Sequence, residues 1–301
     1  AVGHHIRPFS EGLSRAKLRR NLEQMMKSIL ATIDIETGTE TVLYETDRHL
    51  EAPNWTPDGA ALIVNGGGRL YRFPLDNPAL IEIGTGFAKA LNNDHGLSPD
   101  GTMLAVSDGT EAGESCIYTL PVTGGVPRRI TSQTPSYWHG WSPDGATLAY
   151  VGKRPETGDT FQVFTIGQNG GAEKQVTRDF DHCDGPDYTP DGKWIWFNGE
   201  RSGSVQLWRT RPDGSDLQQM TSDERVNWFP HPSPDGRFVA YLAYEAGTAG
   251  HPANRPVELR LMSADGGTPR ILRSLFGGQG TLNVPSWAPD SRRFAYVKYE
   301  P

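Results

Sequence analysis

Apolar residues in this chain come in short runs that alternate with polar positions, and each run sits just behind a turn signal. The runs ALIV (61–64), MLAV (103–106), TLAYV (147–151), WIWF (194–197), FVAYLAY (238–244) and FAYV (294–297) have strand length. One phrase precedes all six: NWTPDG ending at Gly59, GLSPDG at Gly101, GWSPDG at Gly145, DYTPDG at Gly192, HPSPDG at Gly236 and SWAPDS at Ser291. Proline fixes φ near −65°, Asp bonds backbone two residues on, and Gly accepts positive φ, so x-P-D-G is a tight turn between two strands. A further strand follows in RLYRF (69–73), SCIYTL (115–120), FQVFTI (161–166), VQLWRT (205–210) and VELRLM (257–262). Gly- and Asp-rich turns then lead into fourth strands such as PRRIT (127–131) and LQQMT (217–221).

The prolines of the phrase stand at 57, 99, 143, 190, 234 and 289, spaced by 42, 44, 47, 44 and 55 residues. That is the length of a four-stranded propeller blade, longer than helical repeats of about 33 residues. Only ten residues follow the sixth phrase, enough for one strand, while SILATIDIETGTETVLYET (28–46) supplies a third and a fourth strand ahead of the first phrase. The pattern predicts an all-β fold, a six-bladed β-propeller of four-stranded antiparallel blades over 28–301. Pairing of the N- and C-terminal strands in one blade closes the ring and removes the exposed edges of an open array. Residues 1–27 form a basic N-terminal extension, flexible or a short helix over LSRAKLRRNLEQMM (13–26).

Composition narrows the reading. With 35 Gly, 23 Pro and 36% apolar residues, the chain is too turn-rich for a helical bundle, too apolar for disorder, and has no run long enough for a membrane-spanning helix. A net charge of −7, with six Lys/Arg against two Glu in residues 1–27 and the acidic excess in the remainder, excludes nucleic acid as a partner. Cys116 and Cys183 belong to no CxxC pair and read as buried free thiols. No secretory signal is visible, which leaves two compartments open: cytoplasmic if this is the full chain, periplasmic if it is processed.

The repeat W-S/T-P-D-G-x-x-I/L-A-Y/F, followed by D-x-x-G-x-x-x-x-L/I-T, resembles the PD40-type, WD40-like repeats of TolB-like propellers over about nine tenths of the chain. The resemblance implies the six-bladed fold and a role in binding. TolB proteins carry a separate α/β domain ahead of the propeller, for which the 27 residues here leave no room, so their role in an envelope complex is not carried over whole.

The first strand of each propeller blade lines the central channel, which makes the residues before each PDG comparable. Four before the proline stand Pro53, His95, His139, Pro186, Pro230 and Pro285; three before it stand Asn54, Gly96, Gly140, Asp187, His231 and Ser286. Two before it are Trp55, Leu97, Trp141, Tyr188, Pro232 and Trp287, assigned to packing between blades. His95, His139 and His231, with Asn54, Asp94, His182, Asp184 and Asp187, point to a polar channel mouth suited to a carboxylate, a peptide end or a divalent metal. The bland alternative is that these groups bond carbonyls and channel water. No spacing matches a metal motif, and no cofactor is expected. Trp138, Trp228 and Phe229 stand beside the histidines, either to stack on a sugar or peptide or to fill core.

Two loops complete the inventory. DFDHCDGPD (179–187) fails as a calcium loop because Cys183 and Asp184 occupy the fifth and sixth positions, and it reads as a solvated, channel-facing loop. The insertion at 245–258 lies opposite the PDG turns, as a surface excursion or as a lid with His251 and Arg255 at its tip. HPSPDGRFVAY (231–241) resembles a segment of oligogalacturonate lyases, which hold a metal with channel histidines; only His231 carries over. The chain has no GxSxG elbow, P-loop, HExxH or dinucleotide fingerprint. The expectation is a monomeric, non-catalytic binding module with no catalytic residues, engaging a protein, a peptide, a sugar or a small polar ligand. The alternative is a metal-dependent lyase-like or hydrolytic enzyme using His95, His139 and His231.

Overall fold

In the computed structural model, which describes residues 26–201 and 203–300, every PDG phrase folds as the turn its residues demand. At the first, the Gly59 N–H donates to the Thr56 carbonyl at 2.9 Å, Gly59 stands at φ 71°, and the Asp58 carboxylate accepts the Ala60 N–H at 3.0 Å. Ser98, Ser142, Thr189 and Ser233 repeat the arrangement. The neighbouring hydroxyl, more than any other group, holds the carboxyls of Asp58, Asp100, Asp144 and Asp191 below their ordinary pKa. In the sixth phrase Ser291 takes the glycine position at φ 58°, a left-handed conformation costly for a residue with a Cβ. Its hydroxyl accepts the Asp235 N–H at 2.9 Å, tying its turn to that of blade five.

These turns join the inner and second strands of six antiparallel sheets, five of them four-stranded meanders. The inner strands of blades one to five are Glu51–Trp55, Leu91–Leu97, Ser136–Trp141, His182–Tyr188 and Val226–Pro232. In the sixth blade, Lys27–Asp34 pairs with Glu40–Thr46 on one side and with Arg293–Glu300 on the other, and a single bridge, Trp287 to Phe294, marks the inner position. The first and last strands of the described chain therefore share one sheet over eight paired positions, from Lys27 with Glu300 to Asp34 with Arg293. A strand replaces the expected solvated loop at 182–187. Cys183 through Tyr188 are buried there, because the inner strand of a blade is covered on both sides by its neighbours.

Six apolar clusters hold the ring, one at each junction between neighbouring blades. Trp55, Trp141, Tyr188 and Trp287 lie in these junctions, with the Trp287 indole N–H donating to the His231 carbonyl at 2.8 Å. Cys116 and Cys183 are buried free thiols. Among the described residues no helix is long and apolar enough to cross a membrane.

Candidate functional site

Each inner strand of blades one to five carries a β-bulge a few residues before its turn: pairing slips between Glu51 and Asn54, Leu91 and His95, Trp138 and Gly140, Asp184 and Asp187, and Trp228 and His231. Bulges bend a strand and re-aim its side chains. Here Ala52 and Phe229 take positive φ of 54° and 57°, and Gly185 takes 58° at the equivalent place in blade four. The bent strand starts open a chamber of about 390 Å³ at the channel mouth opposite the PDG turns. Asn92, Asn93, Asp94, Tyr137, His182, Asp184, Phe229 and Asn283 line it from five blades, with Val151 and Phe161 from blade three. The 245–254 loop of blade five closes one side with His251, and Gln279 follows the outer strand of the same blade. A vestibule of about 560 Å³ shares His182, His251 and Gln279 and adds Glu200 and Trp228.

Asp184 is the electrostatic centre. Its Oδ1 lies 2.8 Å from His139 Nε2 and accepts the Gly185 N–H at 2.8 Å. Its Oδ2 lies 3.4 Å from His251 Nε2 and 3.9 Å from His182 Nε2. Burial favours the neutral acid, but His139, together with His182 and His251, outweighs it and holds the Asp184 carboxyl well below its ordinary range. For His139 burial opposes protonation, and the carboxylates of Asp184 and Asp94 prevail and raise its pKa. Asp94, 6% exposed, is pushed up to about 6 chiefly by burial. The Asn92 amide donates to Asp94 Oδ2 at 2.8 Å, and Oδ1 has no hydrogen-bond partner among the described residues.

The ten sequence-derived candidates divide. Asp94, His182 and Asp184 line the chamber, His139 supports it from below, and Trp228 lines the vestibule. The other five lie away from both cavities. Trp138 is 1% exposed in the core between blades two and three, where its ring fills the space that a Cβ on Gly96 would occupy. Asn54 bridges three blades, donating to the Pro285 carbonyl and accepting the Leu97 N–H at 3.1 Å. His95 faces the Ile63 carbonyl at 3.5 Å, and burial lowers its pKa to about 4, which keeps it neutral. His231 is sealed: Nδ1 meets Asp187 Oδ2 at 3.0 Å and Nε2 meets the Leu282 carbonyl at 3.1 Å. The three channel histidines are thus tied to three different partners, and among the described residues no group of three His, Cys, Asp or Glu is spaced to hold a metal ion. Arg255 opens the third strand of blade five and stands outside the lid.

The missed lining residues had a signal. Six positions before each proline stand Glu51, Asn93, Tyr137, Asp184, Trp228 and Asn283, all with a polar atom, and four of them line the chamber.

Comparison with known proteins places these features in a family. The PD40 profile, described as the TolB beta propeller domain, matches residues 139–254. An uncharacterized protein of Agrobacterium fabrum is 47% identical over 92% of this chain and 94% of its own length. A solved structure from Agrobacterium tumefaciens, described as a candidate TolB, superposes with a TM-score of 0.89 at 46% identity, covering 92% of this chain and 99% of that one. The Tol-Pal system protein TolB of Francisella tularensis is 26% identical over 82% of this chain, which spans 56% of that relative's length. An oligogalacturonate lyase in complex with manganese is 15% identical with a TM-score of 0.53, covering 82% of this chain and 72% of the lyase, a likeness of fold alone.

Proposed function

This chain belongs to the TolB-type β-propeller family, and from that premise we propose that it is a non-catalytic binding module whose ligand enters the chamber opposite the PDG turns. One observation carries the reading: hydrogen-bonding capacity is left over where burial makes it costly. Among the described residues, His182 Nε2, His251 Nδ1 and Gln279 Oε1 are buried with no hydrogen-bond partner. An unsatisfied buried polar atom costs about 1–3 kcal/mol, a debt that an occupant repays. The closed ring fixes the donors and acceptors in advance, so little ordering entropy is lost on binding. Relatives named for the Tol-Pal system put a segment of a protein partner first among occupants, ahead of a sugar or another small polar molecule. His231, the residue shared with the lyase-like segment, is enclosed away from the chamber and gives the enzymatic alternative no support.

The test is paired capture from extracts of the native organism, using wild type and an Asp184→Asn, His182→Ala double variant of confirmed fold. Partner recovery should fall at least tenfold in the variant. Equal recovery would remove the chamber as the binding site.

A further inference from the structure

We propose that the occupant of the chamber presents an organic cation, a protonated amine or a guanidinium, whose charge is met by Asp94 and Asp184 and whose stem lies along Tyr137, Phe161 and Phe229. This rests on the binding reading above and names the chemistry of its ligand.

Charge is the first argument. Among the described residues, the linings of chamber and vestibule contain the carboxylates of Asp94, Asp184 and Glu200 and no Lys or Arg. An anionic ligand would meet these groups with only imidazoles to answer it, whereas a cation finds its complement already in place.

Valence is the second. Asp94 is held in orientation by Asn92, whose side-chain oxygen accepts the Asp94 N–H at 3.0 Å and whose amide occupies Oδ2, while Oδ1 of this chamber-lining carboxylate accepts no hydrogen bond from the described residues. Asp184 spends Oδ1 on His139 and Gly185, while Oδ2 has only imidazoles at 3.4 and 3.9 Å. A formed charge-assisted hydrogen bond is about 2.8 Å long, so Oδ2 remains open to a closer donor. The buried, unpartnered Oε1 of Gln279 is a third acceptor. Acceptors outnumbering fixed donors suit an ammonium with three N–H groups or a guanidinium with five.

The walls are the third. Phe229 is fully buried and, with Phe161 and Tyr137, gives the chamber aromatic surfaces that attract cations. His251 packs on the same aromatic surface. Its ring lies 4.4 Å from Trp228 and 5.2 Å from Phe229, with Nε2 turned to Asp184. A bare metal ion uses neither aromatic walls nor a chamber of about 390 Å³.

Calorimetric titration of the purified chain at pH 7.5 tests this, with cadaverine and agmatine as free cations and acetyl-Gly-Lys-Gly-amide as a peptide-borne one. Succinate, acetyl-Gly-Gln-Gly-amide and manganese chloride are the comparators. Cationic probes should bind at one site per chain and lose at least tenfold affinity in Asp94→Asn and in Asp184→Asn; if either variant fails to fold, the other carries the comparison. Preference for the peptide over the free amines assigns the cation to a protein partner, and the reverse to a small metabolite. Binding of succinate, the glutamine peptide or manganese in place of the amines would overturn the cation and leave a ligand chamber standing. Failure of every probe would overturn both, and amine binding untouched by both substitutions would place it outside the chamber and overturn the proposal.

Discussion

His231–Asp187 and His139–Asp184 are built from the same residue types on inner strands of neighbouring blades, with contacts of 3.0 and 2.8 Å and histidines no more than 1% exposed. Their surroundings separate them. The first pair is closed off. A carbonyl only accepts, so His231 donates its Nε2 N–H to Leu282 and turns Nδ1 to Asp187, whose pKa burial raises; both imidazole nitrogens are engaged, and blades four, five and six are stitched together. The second pair ends in a cavity, with Asp184 Oδ2 loosely placed between two further imidazoles and Asp94 half-bonded across the chamber. A buried His–Asp pair is a structural clamp when both imidazole nitrogens are held within the wall and a receptor when its carboxylate opens on a cavity.

The sharpest way to break this contrast is to cut the clamp. His231→Ala strands Asp187 and the Leu282 carbonyl in a dry junction, and breaking a buried pair from one side costs about 3–5 kcal/mol. Urea unfolding should show that loss, while the folded fraction keeps its full affinity for chamber ligands. If stability is kept and binding is lost, the roles of the two pairs are reversed.

Asp94→Asn should move stability the other way. A carboxyl raised from 3.8 to about 6 leaves the folded protein holding a proton that the unfolded chain has released, so stability falls as pH rises from about 4 through about 6. Removing the acid removes that loss, a gain of up to about 3 kcal/mol at pH 7.5 that vanishes below pH 4. Groups of both signs face this carboxyl, His139 and Asp184 from the inner strands of blades three and four and His251 from the lid, so the profile is best read against an Asp184→Asn background. A pH-independent effect would show that Asp94 is solvated and not a poised site.

Asp184→Asn should cost less than cutting the clamp, about 1–2 kcal/mol, because His139 can release its proton once its counter-charge is gone. Asp184 titrates well below the ordinary carboxylate range, so its stabilisation is present above that range and lost on acidification, and the variant should flatten the acid limb of the stability profile. A loss of 3 kcal/mol or more would make this pair a second clamp. His251→Ala is the mildest change. The lid side chain is 26% exposed and should shift stability by no more than about 0.5 kcal/mol while altering chamber affinity.

The sequence carries the wheel in repeated local chemistry, since each PDG phrase fixes one turn and the 28–46 segment supplies the strands that the C-terminus lacks. The site is less legible, for reasons that particular residues show. His139 stands four residues before its proline and His231 three, and one residue along a strand turns a side chain to the opposite face. The bulges add a further shift that composition does not reveal. His95 occupies the same offset as His139, but it faces the Ile63 carbonyl where His139 faces the Asp184 carboxylate, so burial keeps one imidazole neutral and the other is drawn toward protonation. His251 and Gln279 reach the chamber from a lid and a loop that no repeat register links to the inner strands.

The most direct measurement is the NMR response of the histidine ring protons to saturating cadaverine, with each ring assigned by its His→Gln variant. Shifts are expected at His139, His182 and His251, with silence at His95 and His231. Movement of the His231 ring while the three chamber histidines stay fixed would contradict binding in the chamber.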